Sequence, residues 1–256
     1  MNTTPLTRRI ARTVIALYVI TAAHHVIEGV GWVFEFRLKS LITPATFGVP
    51  LIMTLGLLLL YNRTRHALVL TVLAGTTFLW WVFGIGLSDG LYNHTLNLVL
   101  SAAHVPSSIL SAIYPSYVAP PAGGALTMAC DGVQYSYCSI TPATVAYEAA
   151  GIASFVVACS LAVDVYRLVR QHRRDLLTPS LHLPRRILTG VSFGMVASFG
   201  VAPTLGMYMA SGQPTALAIA VAFMAVGVGA LAVAVAATRA QPTARDEAPS
   251  VRHGTA

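Results

Sequence analysis

The chain is built from apolar runs, each about as long as a bilayer is thick, with arginines gathered at their ends. A helix crosses a hydrocarbon core of ~30 Å with ~20 apolar residues, and runs shorter or longer by a few residues also serve. Six runs qualify: 13–34, 45–61, 67–87, 143–166, 187–210 and 215–238. In lipid a spanning segment must satisfy its own backbone polar groups, and continuous runs of this length do so as helices. Only 10% of the 256 residues are charged, against about 25% in soluble domains. The prediction is an all-α, polytopic transmembrane helix bundle in the cell membrane.

The net charge of +7 does not point to nucleic acid, because the arginines flank apolar runs as cytoplasmic anchors do. Arg8, Arg9 and Arg12 precede the first run. Arg63 and Arg65 follow the second, and Arg167 to Arg186 follow the fourth. Residues 88–142 contain no Lys or Arg and belong on the outer face. This gives six spans with both termini cytoplasmic, and residues 91–113 as an outer amphipathic or re-entrant helix. Seven spans with the N-terminus outside is the alternative. The 35–44 loop, with Arg37 and Lys39, is a mild exception. Residues 1–238 form a single integral membrane domain with an outer-face segment at 88–142; 239–256 is a disordered cytoplasmic tail. The first run carries His and Glu and shows no cleavage site, so it reads as a span that stays. Lys39 is the only lysine and lies outside the late runs, which excludes a retinal Schiff base. Cys130 and Cys138 fall in the outer segment, where a disulfide is expected. Cys159, inside the fourth run, reads as a buried small hydrophobe.

Ionisable groups deep in a bilayer are costly and are paired, turned inward or used. His24, His25 and Glu28 sit together in the first run. At helical spacing His24 and Glu28 share a face, which Glu35 continues, and His25 points elsewhere. A second polar series, His94, Asn97, Ser101, His104, Ser108 and Ser111, runs at intervals of three and four along 91–113. Pro106 should kink that helix. Glu148, in the first outer turns of the fourth run, matches Glu28 in depth. Asp89 reads as a loop residue or helix cap, and Asp164 as a local ion pair with Arg167. Trp80 and Trp81 read as an aromatic belt. No phosphate-binding loop or metalloprotease string is present, and no convincing nucleophile elbow.

His24-His25-Val26-Ile27-Glu28-Gly29 resembles the His-x-x-x-Glu-Gly string in a membrane helix of the emopamil-binding protein family, the sterol isomerases and their EXPERA-domain relatives. The resemblance covers six residues. It implies an intramembrane pocket for a sterol-like lipid, with His24 and Glu28 supporting proton transfer.

Three functions fit these residues. The first is a membrane-embedded enzyme acting on a lipid or isoprenoid by acid/base chemistry, with His24, Glu28, His104 and Glu148 as the groups. The second is a haem- or metal-binding protein using His24 or His25 with His94 or His104. The third is a proton-coupled transporter with Glu28 as its site, although no internal repeat supports transport. The partners are the lipid bilayer and a lipid or isoprenoid ligand.

Overall fold

The computed structural model describes residues 4–31, 37–114, 117, 127–130, 136–172 and scattered helical positions between 215 and 229. For 30–31, 37–46 and 136 it describes the backbone alone. The runs at 187–210 and 215–238, the Arg173–Arg186 cluster, Glu35 and the tail 239–256 fall wholly or largely outside the described residues.

The described chain is mostly helical. Its long helices are α1 (Pro5–Gly31), α2 (Arg37–Thr64), a rod from Ala67 to Ala102, and one from Pro142 to Gln171. Each contains a stretch long and apolar enough to cross a membrane. The rod begins as α3 (Ala67–Thr76), widens into a π-helix (Thr77–Leu96) and ends as α4 (Asn97–Ala102). A short α5 (Ser107–Ile113), strands β1 (Thr127–Cys130) and β2 (Ser136–Ser139), and α6 (Pro142–Gln171) follow.

The long helices form a closed antiparallel ring. α1 packs on α2 and α6, and the rod packs on α2 and α6. The arginine-bearing ends lie together. Arg9 of α1 grips Asp164 of α6, donating from Nε to Oδ2 at 2.6 Å and from Nη2 to Oδ1. Arg65, in the α2–α3 turn, donates to His172 Nε2 at 3.2 Å. Asp164 therefore has an interhelical partner, with Arg167 a distant second at 3.9 Å, and is not a purely local pair.

Two seams hold the ring. On α1, Ile10, Val14, Leu17, Thr21 and His24 are all buried, at alternating intervals of four and three. On α6 the buried series is Glu148, Gly151, Ser154, Ala158, Leu161, Val165 and Leu168. Both seams are apolar in the middle, with the Arg9–Asp164 pair at the arginine end and polar side chains toward the other. The apolar part meets Met53, Leu57 and Tyr61 of α2 and Leu73, Trp81 and Ile85 of the rod. Trp81 is fully buried and donates to Thr54 Oγ1 at 2.9 Å, so it belongs to the core and not to an interfacial belt. Cys159 is exposed on α6 and takes no part in the core.

Several boundaries differ from those expected. No break occurs at Ser88–Asp89: residues 91–102 are the top of the rod, and Asp89 lies inside it. Lipid-embedded backbone bonds itself most readily by continuing the helix, so one short polar pair does not end it. Nor is 91–113 a single helix. The rod stops at Ala102, where Val105 N–H bonds to Leu100 O and His104 N–H to Ser101 O, a Schellman closure. His104 takes the left-handed position, φ 51°. Pro106 cannot continue the helix and biases Val105 away from helical angles. Residues 37–44, expected as a loop, are the first part of α2.

The segment beyond the rod is tied down on itself. Tyr92 donates to Ile113 O at 2.6 Å, and Tyr114 donates back to Tyr92 O at 2.9 Å. β1 and β2 pair antiparallel with Met128 opposite Cys138. Cys130 and Cys138 are disulfide-bonded, with Cα atoms 6.1 Å apart. α6 then starts on a capping box, Thr141 with Thr144, and Pro142 opens its first turn.

Candidate metal centre

His24 is fixed from below and beside. Its Nδ1 lies 3.1 Å from Tyr147 O, its ring stacks on Tyr147 at 4.1 Å, and it is 1% exposed. A backbone carbonyl only accepts, so Nδ1 carries the hydrogen and Nε2 keeps the lone pair. His25 turns to the other side, toward Phe47 of α2, and reaches Glu28 at 3.1 Å. The pair joined in the first helix is thus His25–Glu28, three residues apart, while His24 faces the bundle interior.

His94 comes to the same place from the rod. Its ring meets His24 edge to face at 4.6 Å and Tyr147 at 5.0 Å. Nδ1 is 2.9 Å from Glu148 Oε2, and Nε2 is 3.6 Å from Asp89 Oδ1. Gly151 makes the approach to α6 possible, because a Cβ there would fall inside the His94 ring. Gly90 serves the same interface one turn away, where a Cβ would sit 2.7 Å from Phe155 N.

Asp89 reaches this cluster because of the rod's winding. In an α-helix, residues five apart point about 140° from each other. In a π-helix the i→i+5 hydrogen bonds set such residues over one another. Thr95 Oγ1 bonding to Gly90 O at 2.8 Å follows the same five-residue step. One potential ligand atom from each of His24, Asp89 and His94 falls within 4.8 Å of the others. Among the described residues this is the one group of three metal-ligating side chains so close together. Asn93 Nδ2 donates to Asp89 Oδ1 at 3.4 Å.

Of the residues singled out from the sequence, His24, His94 and Glu148 converge, and His25 adjoins them at 5.0 Å from the His24 ring. Glu28 stands with His25, half-buried. His104 is exposed at the end of the rod and is not brought into the cluster. Asp89 was the residue that periodicity of 3.6 could not find. Its signal was composition: it is the only acid between Ala67 and Ala102.

The centre carries unmet polar capacity. Asn93 Oδ1, Asn97 Oδ1 and Thr21 Oγ1 are buried with no hydrogen-bond partner among the described residues. Each such group costs about 1–3 kcal/mol unless water or an ion meets it.

No protein-family model, curated protein or solved structure matches this chain.

Proposed function

We propose that the chain is an integral membrane metalloprotein in which His24, Asp89 and His94 hold one divalent transition-metal ion, and that it acts on a lipid or isoprenoid by metal-assisted acid/base chemistry. One observation carries the reading. Each imidazole has one nitrogen committed to an acceptor, Tyr147 O or Glu148, and the other nitrogen of His94 faces Asp89 Oδ1 at 3.6 Å, a separation that an ion held by both would span. Metal-ligating histidines are oriented in this way by carboxylates and carbonyls. Two imidazoles and a carboxylate suit Zn²⁺ or Fe²⁺, and three protein ligands leave a position open for water or substrate. A bound metal supplies a Lewis acid and a water acidic enough to ionise near neutrality. Glu148 holds His94 in its metal-binding tautomer, and Tyr147 does the same for His24. A haem between the two histidines fits less well, because rings set edge to face at 4.6 Å leave no slot for a porphyrin.

Support for a lipid-derived substrate is the depth of the centre. His24 lies five residues inside the end of its apolar stretch at Gly29, about 8 Å at helical rise, among apolar helices. The resemblance of residues 24–29 to the sterol-isomerase string favours the same class. We place the protein in the cell membrane with six spans, including 187–210 and 215–238, both termini cytoplasmic and the disulfide hairpin outside. Arginines at the shared Arg9/Arg65/Arg170 end of the ring support this orientation.

Metal content in detergent-purified protein tests the proposal. Wild type should hold about one zinc or iron per chain, as a three-ligand site does, and His94→Ala and Asp89→Asn should hold little, with unchanged elution on size exclusion. Glu148→Gln should weaken binding roughly 10–100-fold. Wild type that stays metal-free after equilibration with Zn²⁺ and Fe²⁺ overturns the reading. A metal-free proton relay then takes its place, favoured by the carboxylates on both ring nitrogens of His94.

A further inference from the structure

The arginine end of the ring holds more positive charge than its own pairing consumes. Arg9 of α1 and Arg167 of α6 come together there because both turn to the same oxygen of Asp164. Arg9 Nη2 donates to Oδ1, and Arg167 Nη1 stands 3.9 Å from that atom. Two guanidinium groups thus share one fully buried carboxylate. Asp164 is the only acid at that end among the described residues. Like charges this close repel each other, and a second anion between them would relieve the repulsion.

Most of their donors face outward. Arg9 uses Nε and one hydrogen of Nη2 on Asp164, which leaves both hydrogens of Nη1. Arg167 is too far from Asp164 for a hydrogen bond, and its side chain makes no other among the described residues. The two side chains are 53% and 55% exposed. Their depth selects the kind of anion. Arg9 lies four residues inside the start of α1 at Pro5, and Arg167 four inside the end of α6 at Gln171, about 6 Å from either tip at helical rise. Lipid headgroups occupy that level, outside the hydrocarbon core. Toward the middle of the bilayer the same two helices expose Ile15 and Val19 on α1 and Val156 and Val163 on α6. An acyl chain covers such a surface, and a free anion gains nothing from it.

We infer that Arg9 and Arg167 form a binding site for the phosphate of one anionic phospholipid, drawn from the leaflet at the arginine end. Asp164 is the positioning group: it pins the Arg9 fork and draws Arg167 beside it. The phosphate oxygens accept from the N–H groups that remain, as guanidinium forks favour. Basic pockets between membrane helices hold lipid headgroups in this way, one molecule to a pocket, where scattered surface arginines attract them only diffusely. The site is independent of the metal reading.

The test uses full-length protein, delipidated in a neutral detergent, with bound lipid counted by native mass spectrometry as phosphatidylglycerol is titrated in. Wild type should bind a first phosphatidylglycerol well before any further one, and phosphatidylcholine about tenfold more weakly, since its headgroup has no net charge. Arg167→Gln should weaken the first binding event about tenfold or more, as lost charge-assisted hydrogen bonds do, and should melt as wild type. Arg63→Gln removes the same charge from α2, across the ring from α6, and should change the affinity less than about threefold. Arg167→Lys keeps the charge without the fork and should fall between, and it carries the test if Arg167→Gln does not fold. Equal weakening by the changes at Arg167 and Arg63 overturns the site, and so does phosphatidylcholine bound as tightly as phosphatidylglycerol. Displacement of the lipid by millimolar inorganic phosphate overturns the lipid as the occupant.

Discussion

Two buried ionic clusters lie along the same pair of seams, and they are built on opposite plans. At the arginine end, one guanidinium meets one carboxylate fork to fork, and Asp164 is closed off completely while half of Arg9 remains in contact with solvent. At the other end, His94 lies between two carboxylates, His24 packs against its ring, and a third acid stands one turn away with His25. The first cluster matches charge once and leaves no donor capacity inward. The second pairs each of its acids with a histidine, and His94 is shared between two of them. Burying ions costs free energy in either case. The difference between them separates a staple of one acid and one base from a cluster in which three acids and three imidazoles from three helices converge.

The largest effect should come from breaking the staple. Arg9→Ala leaves the Asp164 carboxylate at 0% exposure, and stranding a buried charge costs about 3–5 kcal/mol, less whatever Arg167 recovers. Thermal unfolding in detergent should show a large loss of stability, while the protein that remains folded keeps its metal. Removing both charges, as in Arg9→Leu with Asp164→Leu, should recover most of the loss. A stable Arg9→Ala protein that has lost its metal would mean that the two clusters are one system.

A smaller effect separates packing from chemistry along one helix pair. Gly86 and Gly151 both sit in the contact between the rod and α6, and a Cβ at either would overlap its neighbour. At Gly86 that neighbour is the Ala158 side chain in the apolar seam, and at Gly151 it is the His94 ring. Overpacking costs about 1–3 kcal/mol at either position. Gly86→Ala should therefore lower stability and leave metal affinity alone. Gly151→Ala should lower both, because the ring must leave Glu148 to make room. Titration with Zn²⁺ beside thermal unfolding distinguishes the two variants.

The sequence carried these regions unequally. Apolar length and arginine position marked the four described helices, and the His-rich string in the first one marked the centre's neighbourhood. Glu148 was legible by depth alone, from counting residues inward along two antiparallel runs. Residues three and four apart are both neighbours on a helix, so the sequence offers Glu28 two histidines, and α2 and α6 decide which one turns inward. Asp89 is not legible at a period of 3.6, because its place depends on the π-helical winding of the rod. The polar series His94, Asn97, Ser101, His104, Ser108 and Ser111 keeps an α-helical spacing through Pro106, whereas the rod ends at Ala102. Arg9 with Asp164 required knowing that α1 and α6 run side by side, which span counting does not give.

The smallest effect decides how far the centre extends. His104 shares the spacing of the polar series with His94, yet it occupies the left-handed position of the rod's closing turn and lies in the open. An L-residue in that conformation carries about 1–2 kcal/mol that glycine avoids, although glycine gives back up to about 1 kcal/mol of it in chain entropy. His104→Gly should therefore leave stability unchanged or raise it by less than about 1 kcal/mol, with metal content and Zn²⁺ affinity as in wild type. His94→Gly should lose the metal. If His104→Gly instead weakens Zn²⁺ binding while the melting temperature holds, the imidazole at the rim reaches the centre in the working protein. The boundary between closing turn and chemistry would then move outward by two to three turns of helix, about 15 Å at helical rise.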